Sequence, residues 1–516
     1  MKVSKTNIKG CYVFELTNRG DHRGYFEELY KESAYKMHGV LTHWPQDNFS
    51  FSVNEGTFRG MHYQKGDAVQ GKLVTCVSGI VIDYIYDARI GSPTYGKWEK
   101  VIIDGNSMNP AQVYVPEGCL HGFYVAKGKA RFIYKCTNEY NAQQDAGVRC
   151  TDPALGLELP KGDFILSDKD KNLPLLKDAE LDFIYQPRCV VTGAITGQLG
   201  PDVVKELTKR GYKDILVLDK EILDLTDAEK VKEVIGNFDP DVIFHCAAFT
   251  DVDLAQRKPD LATAVNVDAT TYITEVANKC NSKLIYISTD YVYDGKQEKG
   301  RSYKTTDTPS PMGVYGQTKL EGENVALNHD KAFVVRTSCV FGDRKTNNFV
   351  RTMFGLYGKH QNIPVVDDQI GSPTYTKDLA KFLVSLSETD KYGIYNGTNK
   401  GACSRYELAC KIFEYASRLI ANPEFNTTAT PISTEDYYNS ESMLKKIRTM
   451  LIELGFGEHE VISPELMSKV ISPRPLNATL DQTTLAENGF DELRPWSRAV
   501  EECVMRLALE KMEENA

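Results

Sequence analysis

Residues 188–211 read RCVVTGAITGQLGPDVVKELTKRG, and this stretch decides how the larger part of the chain folds. An apolar strand, CVVT, runs into a turn carrying Gly193, Gly197 and Gly200, and a helical pattern follows from Pro201 to Arg210. Glycines between a strand and a helix allow a tight turn and close backbone approach to a phosphate, which the helix N-terminus attracts. Downstream, ILVLD, DVIFHCAA, KLIYIST and AFVVRTS repeat the unbroken apolar strand, separated by helical stretches such as Ala228 to Gly236 and Asp260 to Cys280. Alternation of this kind predicts right-handed crossovers onto a doubly wound parallel sheet with both faces covered.

Upstream the pattern changes. From the start to about Leu159, β-rich runs such as KLVTCVSGIVIDYIYD, WEKVIIDG, AQVYVPEG and ARFIYKCTN follow one another at close intervals, with turn signals between them and no long helical pattern. That half reads as an all-β barrel or double-sheet jelly roll. The boundary is expected near Ile184 to Arg188, at the Gln-Pro dipeptide, giving domains 1–185 and 186–516. A length of 516 residues agrees with two or three cores rather than one.

Composition narrows the function classes. Hydrophobic residues make up 41% and charged residues 26%, and no apolar run approaches the ~20 residues of a membrane span. The opening MKVSKTNIKG lacks an apolar signal core, and twelve cysteines are scattered without C-x-x-C pairs. Both features predict a cytoplasmic protein with reduced thiols. A net charge of −10 argues against nucleic acid as a partner but leaves room for a small anionic ligand.

Tyr315 and Lys319 lie four residues apart in YGQTKLEGE, a segment that reads as helix, so both project from one face. A phenol beside an ammonium can act as a general acid, because the positive charge favours the phenolate left behind. Thr289 closes the preceding strand in YISTDYVYDG and offers a hydroxyl to the same place. Asp219 ends the second strand, where a carboxylate can bond a ribose or simply cap the turn, and Lys220 beside it leaves NADH and NADPH both open.

The glycine turn, HCAAFTDVD, STDYVYDG and YGQTK occur in that order at strand ends and helix starts. Together they resemble the extended short-chain dehydrogenase/reductase family, a Rossmann fold with a small C-terminal substrate subdomain. With AVNVDAT, VVRTSCVFG, NNFV, VVDDQIGSPTY and RPLNATLD they resemble the dTDP-4-dehydrorhamnose reductase family over most of residues 187–500. The resemblance implies a catalytic trio of Thr289, Tyr315 and Lys319. It implies cofactor contacts at Gly193, Gly197, Gln198, Leu199, Gly200, Asp219, Asp224, Ala247 and Ala248, as well as at Tyr315 and Lys319. Three departures stand out: one extra residue in the glycine turn, Cys339 where that family commonly has a tryptophan against the sugar, and Gln256 in place of a glutamate. Residues 435–472, with the helical SMLKKIRTMLIELGF, look like an insertion. The expectation for it is a solvated surface helix, with a lid or an oligomer contact as the alternatives.

In the first half, His62 and His121 invite a cupin-type metal site, but RGMHYQ offers a single histidine where such sites use two, so no metal is expected. A metal-free acid/base site fits better. Inverting carbons beside a ketone needs a base, an opposing acid and a group that stabilises the enolate. His62 can be the base if a carboxylate such as Asp170 bonds its far nitrogen, Tyr134 is a candidate acid, Lys72 can stabilise the enolate, and Arg23 and Arg59 can grip a diphosphate, although the residues by themselves do not place these groups in one pocket. RGMHYQ, PEGCLHGF and LSDKD resemble the dTDP-4-dehydrorhamnose 3,5-epimerase family over nearly all of residues 1–185. That family is a cupin-like jelly roll without cofactor. The resemblance implies those same roles, adds Gln46, Asn48 and His121 to the substrate contacts, and implies a homodimer through the barrel.

The two resemblances imply consecutive reactions on a dTDP-4-keto-6-deoxyhexose: epimerisation, then reduction by NADPH or NADH to dTDP-L-rhamnose. Cys339 keeps another product, such as a 6-deoxy-talose, as the alternative. A non-catalytic half is a further one, against which the intact acid/base residues argue.

Overall fold

The computed structural model describes every residue except 37, 41–42, 299, 421–422 and 515–516. It divides into two units, Met1–Gln186 and Pro187–Ala516.

The first unit contains, in chain order, β1 (Lys2–Lys5), β2 (Tyr12–Glu15), β3 (Asn18–Asp21), β4 (Gly24–Glu27), a short α1 (Glu32–Lys36), β5 (Gln46–Ser52), β6 (Phe58–Gln64), β7 (Lys72–Asp87), β8 (Trp98–Asp104), β9 (Ala111–Val115), β10 (Cys119–Cys136), β11 (Asp145–Gly147) and a one-turn α2 (Asp168–Lys171). The long β7 and β10 pair antiparallel along their whole length, and each changes its outer partner halfway. β7 pairs with β9 through Lys72–Thr75 and with β8 through Ile80–Tyr86. β10 pairs with β6 near His121–Tyr124 and with β5 through Ala130–Cys136. The switch falls where the register slips, beside Gly79 at φ +81° and Gly128 at φ +73°. A side chain at Gly79 would press to 2.8 Å from the Lys129 carbonyl, so the bend needs glycine. The bent pair wraps a core of Val74, Cys76, Val81, Ile85, Phe123 and Phe132.

In the second unit β12 (Cys189–Thr192), α3 (Gly200–Lys209), β13 (Ile215–Leu218), α4 (Ala228–Phe238), β14 (Val242–His245), α5 (Val252–Arg257), α6 (Pro259–Thr263), α7 (Ala269–Cys280), β15 (Lys283–Thr289), α8 (Val314–Leu327) and β16 (Ala332–Thr337) follow one another. The sheet order is β13-β12-β14-β15-β16 followed by Gly393–Asn396, all parallel. Strands buried on both faces explain the unbroken apolar runs. Val203 and Leu207 of α3 pack on one face with Leu379 and Leu383, and Val231, Ile235, Ile273 and Val276 cover the other. Chain order reverses between β12 and β14, and the crevice for a ligand opens beyond the carboxyl ends of strands at such a point. Helices Phe349–Leu356, Arg405–Leu419 and Trp496–Glu514 share a separate core containing Met353, Ile412 and Val504.

Residues 435–472 do hold a surface helix, Glu441–Glu453, with Glu441, Ser442, Lys445 and Lys446 exposed, but its other face is not solvated. Helix Glu441–Glu453 places Met443, Ile447, Met450 and Leu451 on one stripe and buries them against Val470 and Ile471. Arg257 meets Glu453 at 3.0 Å, and Gln256 Nε2 donates to the Ser468 carbonyl at 3.1 Å. Among the described residues no helix is long and apolar enough to cross a membrane.

Candidate active sites

In the first unit the β6–β10 register sets His62 directly opposite His121. Each imidazole has its own carboxylate. His62 Nε2 lies 2.6 Å from Asp170 Oδ1, and His121 Nε2 lies 2.7 Å from Asp83 Oδ1. Asp170 is presented by α2, whose cap Ser167 accepts the Asp170 N–H at 3.1 Å. Burial alone would raise the Asp170 carboxyl, but the hydrogen bond and charge of His62 bring it below the usual value. Asp83 is fully buried, its carboxyl is pushed up by that burial, and its second oxygen has no partner among the described residues.

Phe132 connects these dyads to the acid candidate. His121 stacks on it at 6.3 Å, and Tyr134 lies 6.1 Å from it. Burial raises the Tyr134 phenol, and the nearby Arg59 charge opposes that shift. Tyr134 is flanked in register by Asn48 of β5 and Val74 of β7, and one pair further along Cys136 stands between Gln46 and Lys72. Residues two apart on paired strands share a face, so Lys72, Tyr134, Gln46 and Asn48 line one surface. Lys72 is buried with Gln70 Oε1 at 3.3 Å, and burial lowers its ammonium. Arg59 Nε donates to Ser52 Oγ at 3.1 Å. Arg23 is not joined to this group among the described residues: it sits on the exposed β3–β4 hairpin, paired with Asp21 at 2.5 Å. Sequence reasoning missed Asp83, which lies in the quoted string KLVTCVSGIVIDYIYD as an acid in an apolar strand.

In the second unit a cavity of about 680 Å³ opens at the switch point. Gly193, Gly197, Gln198, Leu199, Asp219, Asp224, Ala247, Ala248, Thr289, Tyr315 and Lys319 all line it. Gly200 does not; it packs under the loop, where a side chain would meet the Gly193 carbonyl at 2.3 Å. A side chain at Gly197 would clash with the same carbonyl, and Gly193 has φ +61°. The extra loop residue is absorbed by Asp219, whose Oδ2 accepts the Ile195 and Thr196 N–H groups at 3.0 and 2.9 Å and whose Oδ1 accepts Thr196 Oγ1 at 2.9 Å. The carboxylate read as a ribose contact is therefore engaged by the loop, and these bonds outweigh burial to hold it below the usual range. Arg344, also missed from sequence, reaches Ile195 O at 3.4 Å, and its Nε has no partner among the described residues.

Beyond the loop, Lys319 sits buried with its ammonium 4.1 Å from the centre of the Tyr286 ring. Burial lowers it to about 7. Burial drives the Tyr315 phenol well above its ordinary value, and a hydrogen bond with Thr289 pulls the other way. Thr289 Oγ1 donates to Asp290 Oδ1 at 3.1 Å, and Ser338 Oγ donates to Asp290 Oδ2 at 2.6 Å. Burial raises Asp290 to about 6. Below Lys319 on the same helix, Glu323 pairs with Arg336 at 2.6 Å, and both are almost fully buried. The glycine cradle and a cavity lined from the loop to the Tyr315 phenol fit a nicotinamide dinucleotide. Cys339 lines the cavity with φ +45°. Among the described residues no cluster of three His, Cys, Asp or Glu side chains is placed to hold a metal.

These two sites define a pair of enzymes of nucleotide-sugar chemistry on one chain. The chain belongs, through residues 5–178, to the dTDP-4-dehydrorhamnose 3,5-epimerase family and, through residues 187–454, to the family of the RmlD substrate binding domain. A dTDP-4-dehydrorhamnose reductase of Aggregatibacter actinomycetemcomitans is 40% identical over 260 residues, covering 48% of this chain and 86% of the relative. A dTDP-4-dehydrorhamnose 3,5-epimerase of Sinorhizobium fredii is 41% identical over 167 residues, 32% of this chain and 85% of the relative. The crystal structure of a Bacillus anthracis dTDP-4-dehydrorhamnose reductase in complex with NADP superposes with a TM-score of 0.52 at 34% identity, covering 62% of this chain and 99% of that one.

Proposed function

We propose that the chain carries out two consecutive steps toward dTDP-L-rhamnose. Its first unit, read as a cupin-like jelly roll over 1–185, epimerises dTDP-4-dehydro-6-deoxy-D-glucose at carbons 3 and 5. Its second unit, read as a Rossmann reductase over 186–516, reduces the 4-keto group of the product. The observation that carries this reading is that each unit brings a half-buried phenol into the same unit as a basic group set for proton transfer: Tyr134 with the His62–Asp170 dyad, and Tyr315 with Lys319 four residues along the same helix.

In the first unit His62 takes the proton from the carbon beside the ketone, and Asp170 holds the imidazole in the tautomer whose free nitrogen faces the substrate. Lys72, buried with no carboxylate partner among the described residues, stabilises the enolate oxygen. Tyr134 returns a proton from the other face. Gln46, Asn48, Arg59, His121 and Arg23 are the substrate contacts in this reading, and no cofactor takes part.

In the second unit the chemistry that a bound reduced nicotinamide supplies is hydride delivery to carbon 4. Tyr315 donates a proton to the oxygen on that carbon, and Thr289 orients the oxygen. Lys319 favours the departing phenolate and bonds the cofactor ribose. Gly193, Gly197 and the start of α3 would hold the pyrophosphate of that cofactor. We read the cofactor as NADPH, because Lys220 lines the cavity beside Thr196 and Asp224 and offers a cation to a 2′-phosphate.

Edge strand β5 exposes Phe49 and Phe51, and the hairpin exposes Tyr25 and Phe26. Exposed aromatics on an edge strand support a homodimer through the barrel. A cytoplasmic location goes with the nucleotide-linked substrate.

The test is to supply dTDP-4-dehydro-6-deoxy-D-glucose with NADPH and then NADH, and to identify the sugar by NMR. The expected product is dTDP-L-rhamnose. Tyr315→Phe should abolish it while leaving solvent deuterium exchange at carbons 3 and 5 intact. A 6-deoxy-talose product, or exchange without reduction in the unsubstituted chain, overturns the reading.

A further inference from the structure

One buried polar cluster in the second unit takes no part in the chemistry of either site. Ser288 of β15 and Arg336 of β16 are partners in register, and both reach Glu323 of α8. Ser288 Oγ donates to Glu323 Oε1 at 2.5 Å, Arg336 Nε donates to the same oxygen at 2.9 Å, and Arg336 Nη2 donates to Oε2 at 2.6 Å. None of the three residues is more than 3% exposed. The far end of Arg336 is fixed as well, since its Nη1 donates to the Tyr293 hydroxyl at 2.6 Å and Tyr293 stacks on Tyr303 at 4.1 Å. A buried ion pair adds little net stability, because the cost of taking both charges out of water offsets their attraction; what it can supply is a fixed geometry.

That geometry reaches the reacting groups from two sides. Thr289 follows Ser288 directly at the end of β15. Lys319 stands one turn before Glu323 on α8, so the two side chains share a face. Tyr286, two residues before Ser288, supports Lys319: its ring centre is 4.1 Å from the ammonium, and its hydroxyl donates to the Lys319 carbonyl at 3.3 Å. Gly322 lets the helix come this close, because a side chain there would strike the Tyr286 hydroxyl. Alternate residues of β15 therefore hold Lys319 and Glu323 in turn.

Lys319 has no ion-pair partner of its own among the described residues. Of the groups whose charge reaches it, Glu323 is the anion: the Cys246 thiol is pushed up by burial to about 12, and His245 of β14 is pushed down to about 3 and stays neutral. Burial also holds the phenols of Tyr286 and Tyr315 above their ordinary values.

We infer that Glu323 is a positioning residue of the reductase: through Ser288 and Arg336 it sets the spacing between Thr289 and Lys319, and it keeps an anion one turn from the Lys319 ammonium. The inference rests on the reading of the second unit as a reductase in which Lys319 works as the ammonium. The Glu323 charge favours that form, so removing it lets Lys319 lose its proton at lower pH. Reduction, which needs the ammonium, then fails at lower pH too.

The full chain is equilibrated with dTDP-4-dehydro-6-deoxy-D-glucose, NADPH is added to start reduction, and kcat for NADPH oxidation is measured against pH. Deuterium exchange at carbons 3 and 5, followed in parallel, reads the first unit alone. Glu323→Gln is expected to move the alkaline limb of kcat down by about one pH unit and to leave the exchange profile unchanged. Because that variant leaves the Arg336 charge buried without its partner, Glu323→Leu combined with Arg336→Met is the second variant, and the same downward move is expected there. Glu323→Asp should keep the limb in place while lowering kcat by about tenfold, since the charge stays and the reach is lost. Ser288→Ala should likewise lower kcat without moving the limb. A limb that stays put in both charge-removing variants overturns the inference, and so does full kcat in both Glu323→Asp and Ser288→Ala. If the unsubstituted chain oxidises no NADPH, the reductase reading falls and this inference with it.

Discussion

His62 and His121 are cross-strand partners on β6 and β10, and each is backed by a carboxylate from a different element, Asp170 from α2 and Asp83 from β7. The two dyads differ in access: the His62 side chain is 33% exposed and that of His121 8%. In the reading proposed above, the more accessible His62 is the one that exchanges a proton with the substrate carbon, and His121 is a substrate contact.

Asp170→Asn and Asp83→Asn should consequently fail in different ways. Losing Asp170 removes the group that fixes the His62 tautomer, and solvent deuterium exchange at the sugar carbons should fall by about 10²- to 10⁴-fold. Losing Asp83 should weaken substrate binding more than exchange at saturation. Exchange rates measured by NMR against substrate concentration separate the two, and equal effects on both parameters would contradict the division of roles.

Asp219 clamps the glycine loop rather than presenting free oxygens to a ribose. Asp219→Ala should therefore raise the KM for NADPH and NADH by a similar factor, about tenfold, because the loop loses its shape for both. A ribose contact would change the ratio between the two cofactors instead. Steady-state kinetics with each cofactor decide.

Lys319 gives a pH signature. Its folded value near 7 lies below the ordinary 10.5, so between these values the unfolded chain holds a proton that the folded unit has released. Stability then rises with pH across that window, and below it the folded unit carries the full cost of burying the charge. Lys319→Met should stabilise the cofactor-free second unit most at about pH 6, with the gain shrinking toward about pH 10. Urea unfolding at several pH values tests the sign; a constant gain would refute it.

Gln256→Glu isolates the insertion latch. Glutamate keeps an acceptor for the Val314 N–H but loses the donor to the Ser468 carbonyl. The expected cost is about 0.5–1.5 kcal/mol, seen as faster tryptic cleavage within residues 435–472 while kcat is largely retained. Protection equal to that of the unsubstituted chain would show that Arg257–Glu453 and the buried stripe hold the segment without it.

Much of this was legible in the chain. Alternation of strand and helix after residue 187, the glycine turn, and the Tyr315 and Lys319 spacing are local patterns, and local patterns survive without a fold. Asp83, Arg344 and the Glu323–Arg336 pair were passed over because their meaning depends on neighbours distant in sequence. The reading of residues 435–472 as a solvated surface helix held for one face only: the stripe Met443, Ile447, Met450 and Leu451 is visible, but the surface it covers comes from Val470 and Ile471.

The 188–211 stretch by itself determined that a strand, a glycine turn and a helix follow one another, since backbone sterics and hydrophobic period act within a few residues. Tertiary structure decided what the turn does. The reversal between β12 and β14 opens the crevice, and Asp219 from the next strand shapes the loop. Those features depend on groups brought together from across the second unit, and long-range packing alone sets such distances.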